Sequence, residues 1–423
     1  MIWTLGAIPF SLLAIGTPIF VLLLTGAILT FAISLTVSPV AIHQIMFGGL
    51  ENYALLAIPF FIFAGELMGA AGIADRLIVW VLALIGRVPG SLGVATVGAS
   101  TLIGAISGAS VAAVAAIGKS LYPSLIREGY GPRFSSGLVT SAGAIDILIP
   151  PSIAMILYGA SAEQSIPKLF VAGILPGLLM ALMMAAFVIV RAMQMEIPRS
   201  GRFDARQFLC ASWLALPALF MPAFVLGLIY LGWSSPTEAG GFACLYAIIV
   251  GRYIYRTMSW KDVLDAAARA AMLTAQILVI VATAALFSWI LTISGIPQAL
   301  TAWLGSLQLS SWAFLMAINL LLLVVGCFLD PTSAILVLTP LLIPLVKAVG
   351  IDPIHFGIVM TANLAIGMFT PPFGLNIFVA RTVLGAPLET IYRGVLPFAA
   401  VLIVALLIIT YWPELSLVLT RSI

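Results

Sequence analysis

Four short segments of the chain combine residue types that bind small ions. Residues 107–110 read Ser-Gly-Ala-Ser and residues 330–333 read Asp-Pro-Thr-Ser, while 149–152 and 369–372 each contain two consecutive prolines. Paired prolines inside a helix remove two backbone donors and leave carbonyl oxygens one turn earlier without partners. Such carbonyls and hydroxyls suit a hard cation such as sodium, and half-helix N-termini at the same depth suit an anionic ligand.

The composition shows which medium must hold these segments. Of 423 residues, 63% are hydrophobic and 8% are charged, with a mean hydropathy of +1.22, whereas soluble domains carry about 25% charged residues. A soluble globular fold is therefore excluded, and the net charge of +3 argues against a nucleic-acid partner. The cysteines and histidines follow none of the spacings typical of disulfide frameworks, metal sites or hydrolases, so the sequence predicts neither an enzyme nor a cofactor.

Apolar runs long enough to cross a lipid bilayer predict an all-α, multi-pass membrane protein. The sequence places ordinary spanning helices at about 6–36, 52–71, 168–190, 208–231, 237–251, 271–293 and 391–412. Other apolar regions are interrupted by Gly, Pro and hydroxyl residues. They predict re-entrant helical hairpins at 90–126 and 311–347 and broken helices at 134–160 and 355–383. The ion-binding segments all lie in these interrupted regions.

The two halves of the chain are related by an internal duplication. A shift of 221 residues places Pro123 on Pro344, Pro132 on Pro353, Pro150 and Pro151 on Pro371 and Pro372, and Pro176 on Pro397. Prolines are too rare for so many ungapped coincidences, so a repeat is indicated. We predict a first repeat over 1–195, a linker with one spanning helix over 196–236 and a second repeat over 237–423.

The basic residues predict how the repeats are oriented. With the N-terminus in the cytoplasm and with 75–88 and 297–308 lying in the membrane plane, fifteen of the eighteen Lys and Arg residues fall on or near the cytoplasmic side. This distribution follows the positive-inside rule. The single linker helix then inverts the second repeat relative to the first, so one hairpin enters from each side of the membrane.

Two aspartates are expected deep in the membrane, where an uncompensated carboxylate is costly. Asp330 lies at the second hairpin tip, and its position before Pro-Thr-Ser fits helix capping as well as direct ion ligation. Asp146 aligns with Gly367 of the other repeat, so only one half carries this carboxylate. It could ligate a cation, take up a proton, face a positive group of a substrate or pair with a basic side chain such as Lys119.

Five motifs together resemble one transporter family. They are AIPFFIFAGELM at 57–68, ISGAS at 106–110, IPPSI at 149–153, PTEA at 236–239 and TPPFG at 370–374. Over essentially the whole chain, this set resembles the large membrane subunit of the tripartite ATP-independent periplasmic (TRAP) transporters. The resemblance implies an elevator-type transporter, similar to the ion-transporter superfamily. Both hairpins and both broken helices would form a transport domain that slides against a scaffold of the remaining helices.

The resemblance also implies a function and partners. It predicts a sodium-coupled symporter in a bacterial inner membrane that imports an organic acid, such as a C4-dicarboxylate or sialic acid. A periplasmic substrate-binding protein would deliver the substrate, and the chain would assemble with a small four-helix membrane subunit. Sodium would be the only metal ion involved.

The resemblance implies most of the sodium-binding candidates, while Asp146 is added because of its expected depth in the membrane. The sodium-binding candidates are Ser107, Gly108, Ser110, Asp146, Asp330, Thr332, Gly367 and Thr370, and the substrate-cavity candidates are Pro150, Ser152, Pro371 and Asn376. Two departures stand out. Family members usually have Gly at the position of Asp146, and often have an Asp shortly after the first hairpin tip, where residues 111–114 here read Val-Ala-Ala-Val. We therefore predict that Asp146 supplies the negative charge missing from the hairpin or meets a cationic group of a zwitterionic substrate.

Two other functions fit the same sequence features. One is a stand-alone sodium/anion symporter of another inverted-hairpin family, which copurification with a small subunit and stimulation by a binding protein would exclude. The other is a passive channel or scaffold subunit, which sodium-dependent counterflow against a substrate gradient would exclude.

Overall fold

The computed structural model describes residues 3–34, 38–85, 88–197 and 204–422 of the chain. These residues form helices joined by short turns, and no β-strand occurs among them. Part of the predicted linker, 198–203, lies outside the described residues. The all-α class predicted from the sequence is confirmed.

The helices of the described residues fall into two halves joined by one long helix. The first half contains α1 (Ile8–Ala14), α2 (Ile19–Ser34), α3 (Val40–Gly48), α4 (Ala57–Ala70), α5 (Ile73–Ile85), α6 (Ser91–Ser107), α7 (Ser110–Arg127), α8 (Gly131–Ala142), α9 (Ile153–Ala162) and α10 (Ile166–Gln194). The linker helix is α11 (Ala205–Tyr230). The second half contains α12 (Pro236–Ile249), α13 (Trp260–Ile293), α14 (Ile296–Ser306), α15 (Ser311–Phe328), α16 (Pro331–Ala348), α17 (Pro353–Gly367), α18 (Leu375–Leu384), α19 (Leu388–Tyr411) and α20 (Glu414–Leu417).

The duplication is visible in the helices and in their packing. Helices α7 and α16 begin and end at positions that differ by 221 residues, and the neighbouring helices on either side correspond in the same way to within a few residues. Helix α7 packs on α18 as α16 packs on α9, and α8 packs on α19 as α17 packs on α10. Each hairpin therefore contacts the broken helix of the other repeat. That the second repeat is inverted across the membrane stays a prediction.

Both predicted hairpins are present as pairs of helices of similar length. The first turns at Gly108 and Ala109 between α6 and α7, and the second turns at Leu329 and Asp330 between α15 and α16. Gly108 adopts φ +58°, a left-handed conformation that glycine tolerates without strain. Arms of 17 or 18 residues are about 27 Å long, close to the thickness of the hydrocarbon core.

The two predicted helix breaks are also present. In the first repeat α8 ends at Ala142, a 3-10 turn follows over Gly143–Ile147, and α9 begins after the two prolines. In the second repeat the chain leaves α17 at Gly367 and re-enters a helix at Leu375. In both breaks the bond between the two prolines is cis.

Some of the predicted membrane spans need correction. Within the described residues, the helices long and apolar enough to cross a membrane are Tyr53–Ala70, α10, α11, α13, α15, α16 and α19. The single span predicted at 6–36 is wrong, because α1 ends before Gly16 and α2 begins after Pro18, whose ring nitrogen cannot donate to a continuing helix. The span predicted at 237–251 is found as α12, which is shorter and continues as a π-helical turn over Val250–Ile254.

The two short helices predicted to lie in the membrane plane are present as α5 and α14. With 13 and 11 residues they are about 20 and 17 Å long, too short to cross the hydrocarbon core. Their orientation relative to the membrane stays a prediction.

Two glutamates near helix ends, Glu66 and Glu238, have structural contacts. Glu66 of α4 accepts a 2.7 Å hydrogen bond from Arg269 of α13 within an ion pair. Glu238 accepts from the backbone and side chain of Ser235, and so completes a capping box at the start of α12.

The repeats are held together where α8 crosses α19 through two glycines. A Cβ atom on Gly394 would lie 2.2 Å from the Arg133 carbonyl oxygen, and one on Gly137 would lie 2.1 Å from the Gly394 oxygen. Next to this crossing, the rings of Phe134 and Phe187 both contact Phe398. The approach of the two backbones leaves no room for any side chain.

We expect Gly394→Ala to destabilise the protein by about 1–3 kcal/mol or more, because the backbones of α8 and α19 must separate to admit the methyl group. Gly227→Ala is the matched control, since a Cβ at this helical glycine meets nothing within 4 Å. The measurement is the midpoint of thermal unfolding in detergent. Equal midpoints for the two variants would show that the crossing is looser than described.

Candidate functional site

The first hairpin tip packs against the first helix break. A Cβ atom on Gly108 would lie 2.7 Å from the carbonyl oxygen of Pro151 and 3.6 Å from the Cα atom of Ser152. Ser107 is the last residue of α6, and Ser110 is buried in the first turn of α7. The structure therefore brings two of the predicted sodium-binding residues, Gly108 and Ser110, into one junction with the proline pair.

A side chain from the second repeat completes this junction. Asn376, in the first turn of α18, donates from Nδ2 to Ser110 Oγ at 2.7 Å and to the Thr140 carbonyl oxygen at 3.5 Å. Asn376 is fully buried, and its Oδ1 atom has no hydrogen-bond partner among the described residues. The sequence placed Asn376 in the substrate cavity, whereas its observed contacts are with the first hairpin and α8.

Asp146 lies apart from the hairpin tip. Its Oδ1 atom accepts a 3.0 Å hydrogen bond from Ser100 Oγ, its Oδ2 atom has no partner among the described residues, and its backbone packs on Gly104. Asp146 Cγ lies 2.8 Å from the position of a Cβ atom on Gly104, which is four residues before Gly108 on α6, so the carboxyl group is about 6 Å along the helix from the tip. Lys119 is exposed and takes no part in any ion pair found among the described residues, so the alternative of a pair with Asp146 is not supported.

The second hairpin tip is built around Asp330. Its Oδ1 atom accepts from Ser333 Oγ at 2.6 Å and its Oδ2 atom accepts from the Ser333 backbone N–H at 3.1 Å, which caps α16. Capping was one of the two roles that the sequence allowed for Asp330. Thr332 lies in the same first turn and is partly exposed. The tip thus presents a carboxylate and hydroxyl groups at a half-helix N-terminus.

The second helix break lies beside the arm that leads to this tip. A Cβ atom on Gly367 would lie 2.5 Å from the backbone of Gly326, so the end of α17 is pressed against α15 four residues before Asp330. Thr370 donates its hydroxyl hydrogen to the Ile366 carbonyl oxygen at 2.7 Å, and Pro371 is partly exposed. Hairpin and break therefore meet in the second repeat as they do in the first.

A cavity of about 1500 Å³ borders the second tip. It lies between that tip, α13 and the break between α1 and α2, and most of its lining is apolar. Among its lining residues are Thr17, Gln276, Asp330, Ser333, Phe373 and Phe378. The predicted substrate-cavity residues Pro150, Ser152, Pro371 and Asn376 are not among the described residues that line it. Ser152 instead caps α9 by accepting from the Met155 backbone N–H at 3.4 Å.

Sequence reasoning missed the contribution of the N-terminal helices to this cavity. The run at 6–36 was interpreted as one span, although Gly-Thr-Pro at 16–18 is a helix-breaking pattern that could have been recognised. It also missed a buried polar network in the second repeat. There Asn363 Nδ2 donates to Asn319 Oδ1 at 2.8 Å, and Asn319 Nδ2 donates to Thr410 Oγ1 at 3.0 Å.

Solved structures of other polytopic membrane proteins show the same fold. The YdaH transporter of Alcanivorax borkumensis superposes with a TM-score of 0.62 at 16% identity, covering 96% of this chain and 98% of that one. MtrF of Neisseria gonorrhoeae gives a TM-score of 0.59 at 15% identity, covering 96% and 94% of the two chains. At these identities the likeness concerns the fold alone.

Sequence comparisons show the family. The family model of the tripartite ATP-independent periplasmic transporter, DctM component, matches residues 7–415. The C4-dicarboxylate TRAP transporter large permease protein DctM of Pseudomonas aeruginosa is 41% identical over 374 residues, covering 88% of each chain. The ectoine/5-hydroxyectoine TRAP transporter large permease protein UehC of Ruegeria pomeroyi is 36% identical, covering 96% of each chain. The chain therefore belongs to the DctM family of TRAP transporter large permeases.

We expect Asp146→Asn to leave the thermal unfolding midpoint unchanged or to raise it. The amide oxygen of Asn can still accept from Ser100, and no described cationic group is left unpaired when the carboxylate is removed. Ser100→Ala should lower the midpoint, because it removes the hydrogen bond without removing the carboxylate. A large loss of stability in Asp146→Asn alone would reveal a charged partner for Asp146.

Proposed function

We propose that this chain is the large permease subunit of a sodium-coupled TRAP transporter that imports an organic acid into a bacterial cell. A periplasmic substrate-binding protein delivers the acid, and the complex lies in the inner membrane. The observation that carries the proposal is that a helix break contacts the tip of the first hairpin and the arm that leads to the tip of the second, within a chain that belongs to this family. Each junction gathers hydroxyl or carboxylate oxygens with carbonyl oxygens, the ligands that suit sodium.

We propose one sodium site where the first hairpin meets the first helix break. The second sodium site lies where the second hairpin meets the second break. Ser107, Gly108 and Ser110, together with the carbonyl groups before and at the proline pair, supply the first. Asp330, Thr332, Gly367 and Thr370 supply the second. The position of Asp146 beside Ser100 supports a role outside direct ligation at the first tip. Its role towards a zwitterionic substrate stays a prediction.

The substrate is proposed to be a small organic acid. Relatives are named for C4-dicarboxylates, for isethionate and for ectoine, which are small polar or charged molecules. The cavity beside the second tip has ample volume for such a molecule and is bordered by the half-helix N-terminus of α16. Pro150, Ser152 and Pro371 remain candidates for a substrate pocket between the two tips.

Transport is proposed to proceed by an elevator motion. The moving body contains both hairpins and both broken helices, as the sequence predicted. We add α10 and α19 to it, because α19 crosses α8 without room for a side chain and α10 packs on both α17 and α19. The scaffold then consists of α2, α4 and α11–α13, which pack mainly on one another, and of α5 and α14, which also pack on the hairpin arms α6 and α16.

The partners are proposed from the family and from one relative. The isethionate TRAP transporter permease protein DctMQ of Oleidesulfovibrio alaskensis is 39% identical and covers 96% of this chain, but this chain covers only 64% of that protein. The additional length of that protein supports a further membrane subunit as a partner of this chain. Exposed apolar side chains on α11, including Leu209, Trp213 and Phe220, are available to lipid or to such a subunit.

Sodium coupling explains how this architecture can accumulate an anion without a nucleotide. Each net positive charge carried inward gains about 2.3 kcal/mol per 100 mV of membrane potential. Two or more sodium ions with one carboxylate therefore provide a strong inward driving force.

The proposed function predicts sodium-dependent uptake in proteoliposomes that contain the chain, its small membrane subunit and a loaded binding protein. Replacing external sodium by potassium should abolish accumulation, and omitting the binding protein should reduce it. Undiminished uptake without the binding protein and the small subunit would favour the stand-alone symporter. Uptake that does not depend on sodium and never raises the internal substrate concentration above its equilibrium value would favour a passive channel.

Asp330→Asn is predicted to weaken sodium binding at the second site while keeping the helix cap, because Asn caps about as well as Asp. The half-saturating sodium concentration for uptake should rise about ten-fold or more. Asp352→Asn is the matched control, since Asp352 also precedes a proline and caps α17 through hydrogen bonds from Ile354 and His355. A similar sodium dependence in both variants would leave Asp330 with a capping role only.

A further inference from the structure

We propose that Asn376 of the second repeat is a residue of the ion site at the first hairpin tip, and that its amide ties this site to the wall of the cavity. The inference rests on the proposed sodium coupling and assigns to one site a side chain from the opposite repeat. Asn376 lies 266 residues from Ser110 in sequence, yet their side chains are 2.7 Å apart.

The hydrogen bonds of Asn376 show that its amide is directed at the junction. Nδ2 donates to Ser110 Oγ and reaches the Thr140 carbonyl oxygen, so both amide hydrogens face groups of the first repeat. Ser110 Oγ accepts the hydrogen bond from Asn376 with one lone pair, and its other lone pair stays available to a cation. Asn376 therefore fixes the orientation of a hydroxyl that the proposed first site requires.

The unpaired Oδ1 atom of Asn376 is evidence that a ligand binds at the junction. It is buried and has no partner among the described residues, although a buried amide oxygen without a hydrogen bond costs about 1–3 kcal/mol. Oxygen atoms that surround the junction include Ser110 Oγ and O, which lie 3.0 Å from the Cβ position of Gly143, and Pro151 O, which lies 2.7 Å from that of Gly108. A set of neutral oxygens matches a hard monovalent cation.

The repeat shows that this arrangement occurs at one tip only. The shift of 221 residues places Asn376 on Met155 and Ser110 on Pro331. Neither partner of the hydrogen bond therefore exists at the second tip, where Asp330 supplies a carboxylate instead. The first tip has no carboxylate of its own, since Asp146 is turned towards Ser100. An amide from the other repeat takes the place of that missing ligand.

The contact between Asn376 and Ser110 links the first hairpin tip to α18, which also forms part of the cavity wall. Phe373, just before α18, and Phe378, within it, both line the cavity beside the second tip. Asn376 lies between them in sequence and faces the first tip. Ion binding at the first tip would therefore fix the start of α18, and with it one wall of the cavity at the second tip. Asn376 acts here as a ligand and a positioning residue at once.

The test compares three variants in the reconstituted complex. We expect Asn376→Ala to raise the half-saturating sodium concentration about ten-fold and to lower the sodium Hill coefficient. The substrate KM at saturating sodium should change less than about two-fold. Asn376→Asp should lower the half-saturating sodium concentration about three-fold or more, because a carboxylate attracts the cation more strongly than an amide. Met155→Leu, the volume-conserving change at the equivalent position, should leave both constants unchanged.

The outcomes separate the inference from the proposed function. A raised substrate KM with an unaltered sodium dependence in Asn376→Ala would overturn the inference and return Asn376 to the substrate cavity. Wild-type uptake that is independent of sodium would overturn the proposed function itself. If Asn376→Ala is not recovered as folded protein, the test rests on Asn376→Asp. An unchanged half-saturating sodium concentration in Asn376→Asp would refute the role of Asn376 in the ion site. Sodium-induced thermal stabilisation of the purified complex gives a second readout and should be smaller in Asn376→Ala.

Discussion

The need to satisfy backbone polar groups inside a membrane governs this structure. A helix that stops at a proline pair leaves carbonyl groups that neither lipid nor the helix itself can satisfy. The fold places a hairpin against each break, as the approaches of Gly108 to the Pro151 carbonyl oxygen and of Gly367 to Gly326 show. These junctions bring hydroxyl, carboxylate and carbonyl oxygens together, and the proposed ion sites would use those oxygens.

Duplication sets up two such junctions, and divergence makes them chemically different. The second tip carries the Asp330 carboxylate, whereas the first relies on hydroxyl and carbonyl oxygens and on the Asn376 amide. Because each hairpin packs on the broken helix of the other repeat, neither junction is confined to one half of the chain. The repeats therefore share two chemically unlike junctions, an arrangement that would suit the proposed coupling of one binding event to another.

Much of the fold could be predicted because its irregular parts leave local signals. Gly, Pro and hydroxyl residues interrupt otherwise apolar runs, and so the hairpins, both breaks and the duplication were visible in the sequence. The break at Gly16–Pro18 was equally local but was overlooked within a long apolar run. The directions of the polar side chains could not be predicted. Asp146 meets Ser100 across 46 residues and Asn376 meets Ser110 across 266, and such pairs depend on how the helices cross.

Direct imaging of the complex in lipid nanodiscs would test the central claim, that two ion sites lie where the hairpin tips meet helix breaks. Cryo-electron microscopy in sodium should show hairpins that enter from opposite faces of the membrane, with cation density at each junction that disappears when choline replaces sodium. Hairpins that enter from the same face, or junctions that look identical with and without sodium, would contradict the account.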